Sequence, residues 1–485
     1  MTLSYKNSNQ GTPQKDPNAW HRTLLEKADT SVREAIPTVT GTHRLDYHLM
    51  PQAYWMNDPN GLVYYRGYYH VFYQHHPYSP DWGPMHWGHA RTKDFVDWEH
   101  LPIALAPSED YDADGCFSGS AVVEGDRLHL FYTGHRIIEG QVIQVQCKAT
   151  SSDGIYFEKD PRNPLISSFP PDGSPDFRDP KVLRHEESWY MVLGSGKEGR
   201  GNVLLYKSPD LTQWNYVGVL AESDGTQGTI WECPDLFPLG DQHILLVSPM
   251  GVEPRRVMYF VGSMDYETGK FSPKSVGTLD YGPDFYAVQT FFGTKRRLML
   301  AWMDAWECNI PSKGDHWAGA LTLPRELSLD SNGQLKMQPL PELARLRQKP
   351  VALGELQDTG LEVNLVVDLT STTASSLALT FSYTESGEQV QIEYHKATGE
   401  LYLDTTRVHV GQPGRYRAPL DPQSERLDLR IFLDRSSIEL FANHGVATIT
   451  ARIYPKSPQV VPQLLTSDGN VKVIHNECWR LEKQR

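Results

Sequence analysis

The sequence predicts an all-β protein: a five-bladed β-propeller followed by a C-terminal β-sandwich. Three observations carry this. Helical periodicity is scarce up to about Pro339, while strand-like runs dominate. One run recurs, since RGYYHVFYQ, GDRLHLFYTG, EESWYMVLGSG, DQHILLVSP and KRRLMLAWMD read as versions of a single hairpin strand. From Leu361 the chain changes to short strands that exchange polar and apolar positions, as in QVQIEYHKA, LDLRIFLDRSSIELFANHG and VATITARIYP.

Residues 1–42 read as a polar N-terminal extension in which AWHRTLLEKADTSVREAI forms a short helix ahead of a linker. The extension holds no apolar run of secretory type, and the chain has no transmembrane run of roughly 18 residues. A cytoplasmic protein without membrane contact is the expectation. Over residues 43–340 the hairpin copies lie roughly 50–60 residues apart, enough for one four-stranded antiparallel sheet plus loops. Five copies therefore imply five blades. Ahead of each copy an earlier strand opens near an acid or hydroxyl: Asp58, Ser118, Asp179, Asp235 and Asp284. A β-sandwich with coincidental spacing is the competing reading. PLPELARLRQKPVALGEL interrupts the strands and reads as a linker or short helix over 341–360, and residues 361–485 form the second domain.

With 485 residues, 39% hydrophobic and 22% charged, the chain suits two folded domains rather than disorder. A net charge of -14 with no basic run argues against nucleic acid as a partner. Five cysteines without a CxxC pair read mostly as buried thiols. The histidines form no HExxH or ligand cluster, so neither a metal nor another cofactor is expected. The many Trp, Tyr and Phe residues suit sheet cores, and they also stack on the apolar faces of sugars.

In a propeller the first strand of each blade lines the central channel, so residues distant in sequence meet on one rim. The strongest signals are WMNDPNG with Asp58, FRDPKV with Asp179 and WECPDLF with Glu232. In the first two, the following proline biases the acid toward β or polyproline geometry. Each motif has an ordinary reading: a turn at Pro59-Asn60-Gly61, an Arg178–Asp179 ion pair, a surface glutamate beside a buried cysteine. Recurrence at one blade position beside Trp55, Trp231 and Phe117 favours function. Several acids on an aromatic rim are equipment for a neutral polyol.

These motifs resemble the glycoside hydrolase family 32 β-fructofuranosidases, from about His43 to the C-terminus. The resemblance also rests on WGPMHWGHARTKDFVDWEH, CFSGSAV, DFYAVQTF, AWM, TLPREL and the late DRSSIELFANHG. It implies Asp58 as nucleophile, Glu232 as acid/base and Asp179 as transition-state stabiliser of a retaining hydrolase. Retention needs nucleophile and acid about 5–5.5 Å apart. Asp58 should stay ionised with help from Asn57, and Glu232 should keep its proton longer. Arg178 should orient or partly neutralise the acids. Gln74, Trp82, Phe117, Ser118 and Trp302 should form the fructose pocket with Trp55 and Tyr286, while Trp87 and His89 stand between pocket and core. Cys233 should tune the site by packing.

The expected reaction releases fructose from the non-reducing β-D-fructofuranosyl end of sucrose or sucrose 6-phosphate. The alternatives are an exo-acting inulin or levan hydrolase and a non-catalytic fructoside-binding protein. Five-bladed arabinan and xylan enzymes share the acid arrangement but not the full motif set. His135, Arg136, Lys197 and Arg200 are candidate phosphate contacts. A homodimer through the sandwich is a further expectation.

Overall fold

The computed structural model describes residue 16 and residues 18–41, 43–304, 306 and 309–482. Five antiparallel sheets follow one another in sequence. Their inner strands are Tyr54–Tyr65, Gly115–Glu124, Arg178–His185, Ile230–Leu239 and Tyr286–Thr290. These strands contact each other in ring order, and the last also meets the first. The ring closes with Trp317–Ala318 pairing parallel to Tyr54 and Trp55, with the Tyr64 N–H donating to Phe292 O and the Phe292 N–H donating to Leu62 O. Burial falls with radius: Tyr286–Thr290 is wholly buried, whereas the outer strand Lys270–Thr278 is mostly exposed.

Every inner strand carries a bulge near its entry. The extra residues lie between Met56 and Pro59, Phe117 and Gly119, Arg178 and Lys181, Glu232 and Asp235, and Tyr286 and Gln289. A bulge leaves residues unpaired and re-aims their side chains, which is why bulges collect beside active sites. Asp58, Ser118 and Asp179 sit inside these bulges, and Glu232 and Tyr286 immediately precede them. The Asp-Pro-Asn-Gly stretch is thus no chain reversal but part of a continuous strand. Gly61 there has φ of 54°, and a Cβ would come 2.7 Å from the Phe72 ring.

The C-terminal domain is a sandwich of two six-stranded sheets. Strands such as Gln389–His395 alternate buried and half-buried residues, and Leu361, Val363, Leu365, Phe381 and Ile392 fill the core between sheets. The stretch read as a linker is built into this domain. After a 3-10 turn at Pro341–Leu346, Arg347–Val351 pairs with the last strand, and Gln357–Asp358 pairs in the other sheet.

The expected N-terminal helix spans Ala19–Ala35 and rests on blade 1, with Leu25 and Ala28 against Ile103 and Ala106. The rest of that extension through residue 15, and residues 17 and 42, lie outside the described residues. Cys116, Cys147, Cys233 and Cys478 are buried free thiols; Cys308 also lies outside the described residues. Among the described residues no helix is long and apolar enough to cross a membrane.

The seam between the domains corrects one reading. Asp284 is not at the channel rim: its carboxylate accepts the Arg452 backbone N–H of the sandwich at 2.7 Å. Arg325 bridges the same seam, donating to Asp280 at 3.0 Å and to Glu439 at 2.6 Å. Asp235, likewise read as a rim acid, is buried and paired with Lys181 at 2.8 Å.

Candidate active site

The three acids singled out by sequence converge although they lie on blades 1, 3 and 4. Asp58 accepts from the Ser118 hydroxyl at 2.6 Å and from Asn57 Nδ2 at 3.0 Å. The Trp55 indole N–H donates to Asn57 Oδ1 at 2.7 Å, which fixes the amide's orientation toward the acid. Cys233 lies between two carboxylates, its Sγ 3.7 Å from Asp58 Oδ2 and 3.6 Å from Asp179 Oδ2. Burial, reinforced by these acids, pushes the thiol well up, so it is a neutral packing group.

Asp179 has φ of 65°, although the following proline favours extended geometry. Tertiary hydrogen bonds override that bias. Its N–H donates to Thr133 Oγ1 at 3.1 Å, and its Oδ2 accepts the Cys233 N–H at 2.8 Å. Cys233 and Ala287 carry positive φ at the matching bulges. Glu232 accepts two bonds at Oε1 from Arg178, at 3.0 and 2.9 Å, and one at Oε2 from the Tyr286 hydroxyl at 2.7 Å. Arg178 is anchored in turn on Asp176 at 2.7 Å and Gln144 at 3.3 Å.

Burial raises Asp58 to about 6, with repulsion from Glu232 adding to it and the Ser118 and Asn57 hydrogen bonds opposing it. Burial raises Asp179 to about 7; Arg178 opposes the rise, while Glu232 and Asp58 reinforce it. Asp58 therefore titrates above the ordinary carboxylate range and is ionised above about pH 6. Its neutral donors return less than burial removes.

Trp55, Trp302 and Trp306 form one aromatic cluster, with ring centroids 4.9–6.1 Å apart, and Trp306 is its exposed member. Trp302 is fully buried, and Trp82 is 48% exposed and edge-on to Phe117 at 6.2 Å. Gln74 is buried and donates to Cys116 O at 3.0 Å. Trp231, expected beside the rim acids, is core, and so are Trp87 and His89, left between pocket and core by the sequence. Trp231 packs on Phe260 with its N–H on Gln227 O, Trp87 donates to Phe117 O, and His89 pairs with His70. Tyr286, expected in the pocket, donates its hydroxyl directly to Glu232.

The candidate phosphate contacts do not assemble. His135 stacks on Phe117 at 4.0 Å, and burial lowers it to about 4. Arg136 donates to Asp110 O and Lys197 to Pro171 O, while Arg200 is exposed across a hairpin from Lys197. Sequence reasoning missed Thr133, Gln144, Asp176 and Trp306. Thr133 lies inside the repeat GDRLHLFYTG, and Asp176 and Trp306 stand near quoted motifs; Gln144 carries no sequence signal.

Such a rim, with three carboxylates, one guanidinium and a tryptophan cluster, is suited to cleaving glycosides. Comparison with known proteins agrees. The family 32 glycosyl hydrolase N-terminal domain matches residues 48–339, and the family's C-terminal domain matches 339–480. The chain is 40% identical over 465 residues to sucrose-6-phosphate hydrolase of Escherichia coli, covering 90% of this chain and 94% of that protein. It is also 40% identical over 462 residues to raffinose invertase of Escherichia coli, with the same 90% and 94% coverage. The Bombyx mori GH32 beta-fructofuranosidase structure superposes with a TM-score of 0.85 at 36% identity, covering 95% of this chain and 99% of that one. The chain belongs to glycosyl hydrolase family 32. The five-bladed propeller and C-terminal sandwich read from its sequence are the architecture of that structure.

Proposed function

We propose that this chain is a retaining β-fructofuranosidase releasing fructose from the β-D-fructofuranosyl end of sucrose or sucrose 6-phosphate. The observation that carries it is the meeting of Asp58, Asp179 and Glu232 from three blades, Asp58 and Asp179 sharing the Cys233 thiol and Glu232 close enough to repel both. The relatives support the substrate class, being named sucrose-6-phosphate hydrolase and raffinose invertase.

Asp58 attacks the anomeric C2 and forms a fructosyl-enzyme, while Glu232 gives its proton to the departing oxygen. Ser118 and Asn57 hold the Asp58 carboxylate against rotation. Arg178 and Tyr286 do the same for Glu232, which then removes a proton from the water that frees fructose. Asp179 accepts hydrogen bonds from fructosyl hydroxyls, and these strengthen as positive charge develops at C2. The neighbouring acids carry net negative charge toward that cation.

The test is to follow sucrose hydrolysis by NMR and identify the first fructose anomer. β-Fructofuranose is expected; the α anomer, or no fructose at all, contradicts the proposal. A larger kcat/KM on inulin or levan than on either disaccharide would replace the substrate with a fructan.

A further inference from the structure

Blade 4, blade 5 and the sandwich enclose a cavity of about 180 Å³ beside the acid cluster. Arg255, Arg256, Tyr286, Trp306, Gln412 and Tyr416 line it. Two adjacent arginines thus face one space. The Arg255 guanidinium lies 5.5 Å from the Tyr286 ring centroid, and the Tyr286 hydroxyl is 2.7 Å from Glu232 Oε2. The cavity therefore shares a wall with the group that serves the departing oxygen.

We propose that Arg255 and Arg256 bind a phosphate ester carried by the leaving sugar, making them the residues that select sucrose 6-phosphate over sucrose. This rests on the hydrolase reading above. A phosphomonoester brings nearly two negative charges toward a cluster that already holds three carboxylates, in a chain of net charge -14. Without cations nearby, such a substrate is repelled. Guanidinium forks match phosphate oxygens in shape and charge. Glu253 also lines the cavity, and two arginines outweigh its charge.

Arg256 is half-buried over the Tyr281 ring at 5.4 Å, and no carboxylate hydrogen-bonds it among the described residues. Burial lowers its pKa despite the nearby Asp280 and Tyr281, so an incoming anion would relieve a standing cost. Gln412 adds a side-chain amide suited to sugar hydroxyls, and Trp306 offers an exposed ring face, while the Tyr416 hydroxyl donates to the Gln412 backbone carbonyl at 2.6 Å. Overall identity does not decide the question, because relatives named for a phosphorylated and an unphosphorylated sugar are equally similar.

The experiment compares kcat/KM on sucrose 6-phosphate and sucrose for wild type, Arg255→Gln and Arg256→Gln. Wild type should prefer the phosphorylated sugar. Each variant should lower that preference by about 10–100-fold, the loss expected for a charge-assisted hydrogen bond. The change should appear mainly in KM. Turnover of sucrose reports that the variants are folded and competent. Glucose 6-phosphate should inhibit wild type more strongly than glucose, and Arg256→Gln should remove the difference. Equal losses on both substrates, or a wild type that cleaves sucrose without preferring its 6-phosphate, overturn the phosphate site and leave the hydrolase reading standing. Fructose release from neither sugar overturns the hydrolase reading itself.

Discussion

The rim and the domain seam both bury acids, and they treat them in opposite ways. At the seam, Arg325 serves Asp280 and Glu439, while His48 bridges Asp434 at 2.8 Å and Glu439 at 2.9 Å. Burial works against a charged His48, yet these two acids hold it up at about 9. Arg325 and His48 in turn hold Glu439 below its ordinary value despite burial. At the rim, Arg178 spends its fork on Glu232, and hydroxyl, thiol and amide donors serve Asp58 and Asp179. Both acids are driven upward. Matched charges fix two domains together, whereas unmatched ones are held at a cost in stability and are available to a cationic transition state. Asp284 is the exception at the seam: burial and the adjacent Asp304 raise it to about 8.

The contrast can be broken from either side. The largest effect should come from Asp58→Ala, which lowers kcat by about 10⁴-fold or more, as loss of a nucleophile does elsewhere. A mechanism-based fructosyl label should attach to Asp58 in wild type and to nothing in the variant; a label on another carboxylate removes it as nucleophile. Asp179→Asn should lower kcat by about 10²–10³-fold, the scale for losing one transition-state contact. Near-normal kcat with only a raised KM would deny it that role.

At the seam the effect should fall on stability instead. Arg325→Met strands Asp280 and Glu439 and should cost about 3–5 kcal/mol, measured by urea unfolding, with kcat little changed. A loss of kcat without a loss of stability would erase the distinction between the two regions.

The smallest effects are those of pH. Protonating Asp58 removes the nucleophile, so kcat/KM should fall as pH drops through about 6. A flat profile down to pH 4.5 would place its pKa much lower. Asp179 binds its proton more tightly folded than unfolded, so its contribution to stability is full below pH ~4 and lost as pH rises through about 7. Asp179→Asn should therefore raise Tm at pH 8 by roughly 2–4 °C and leave it nearly unchanged at pH 4. The same substitution should thus lower activity and stabilise the fold. A lower Tm at pH 8 would show that its charge is matched after all.

Sequence carried the blades because each must repeat a hairpin, and it carried the acids because their motifs recur at one blade position. It did not carry the bulges. A bulge is set by the partner strand, and Asp179 holds a positive φ through Thr133 and Cys233, which no local preference encodes. Asp284 sits at a blade start like Asp58, but only the docked sandwich shows that it faces Arg452. Trp231 and Trp55 both precede an acid within three residues, yet the inner strand turns one into the blade core and the other toward Asn57. The arginines at 255 and 256 drew no notice because they lie between strands, and their cavity needs both domains to exist.

The central claim is that Glu232 serves first as acid and then as base while Asp58 carries the sugar. Glu232→Gln tests it most directly. The variant should be poor on sucrose, whose departing alkoxide needs a proton, and much less impaired in the first step on an activated fructoside with a good leaving group. Without a base to prepare water the fructosyl-enzyme should accumulate, and azide should restore turnover and yield a β-fructosyl azide. The measurement is the variant's rate on both substrates, with and without azide. Equal losses on both leaving groups with no rescue by azide would contradict the account.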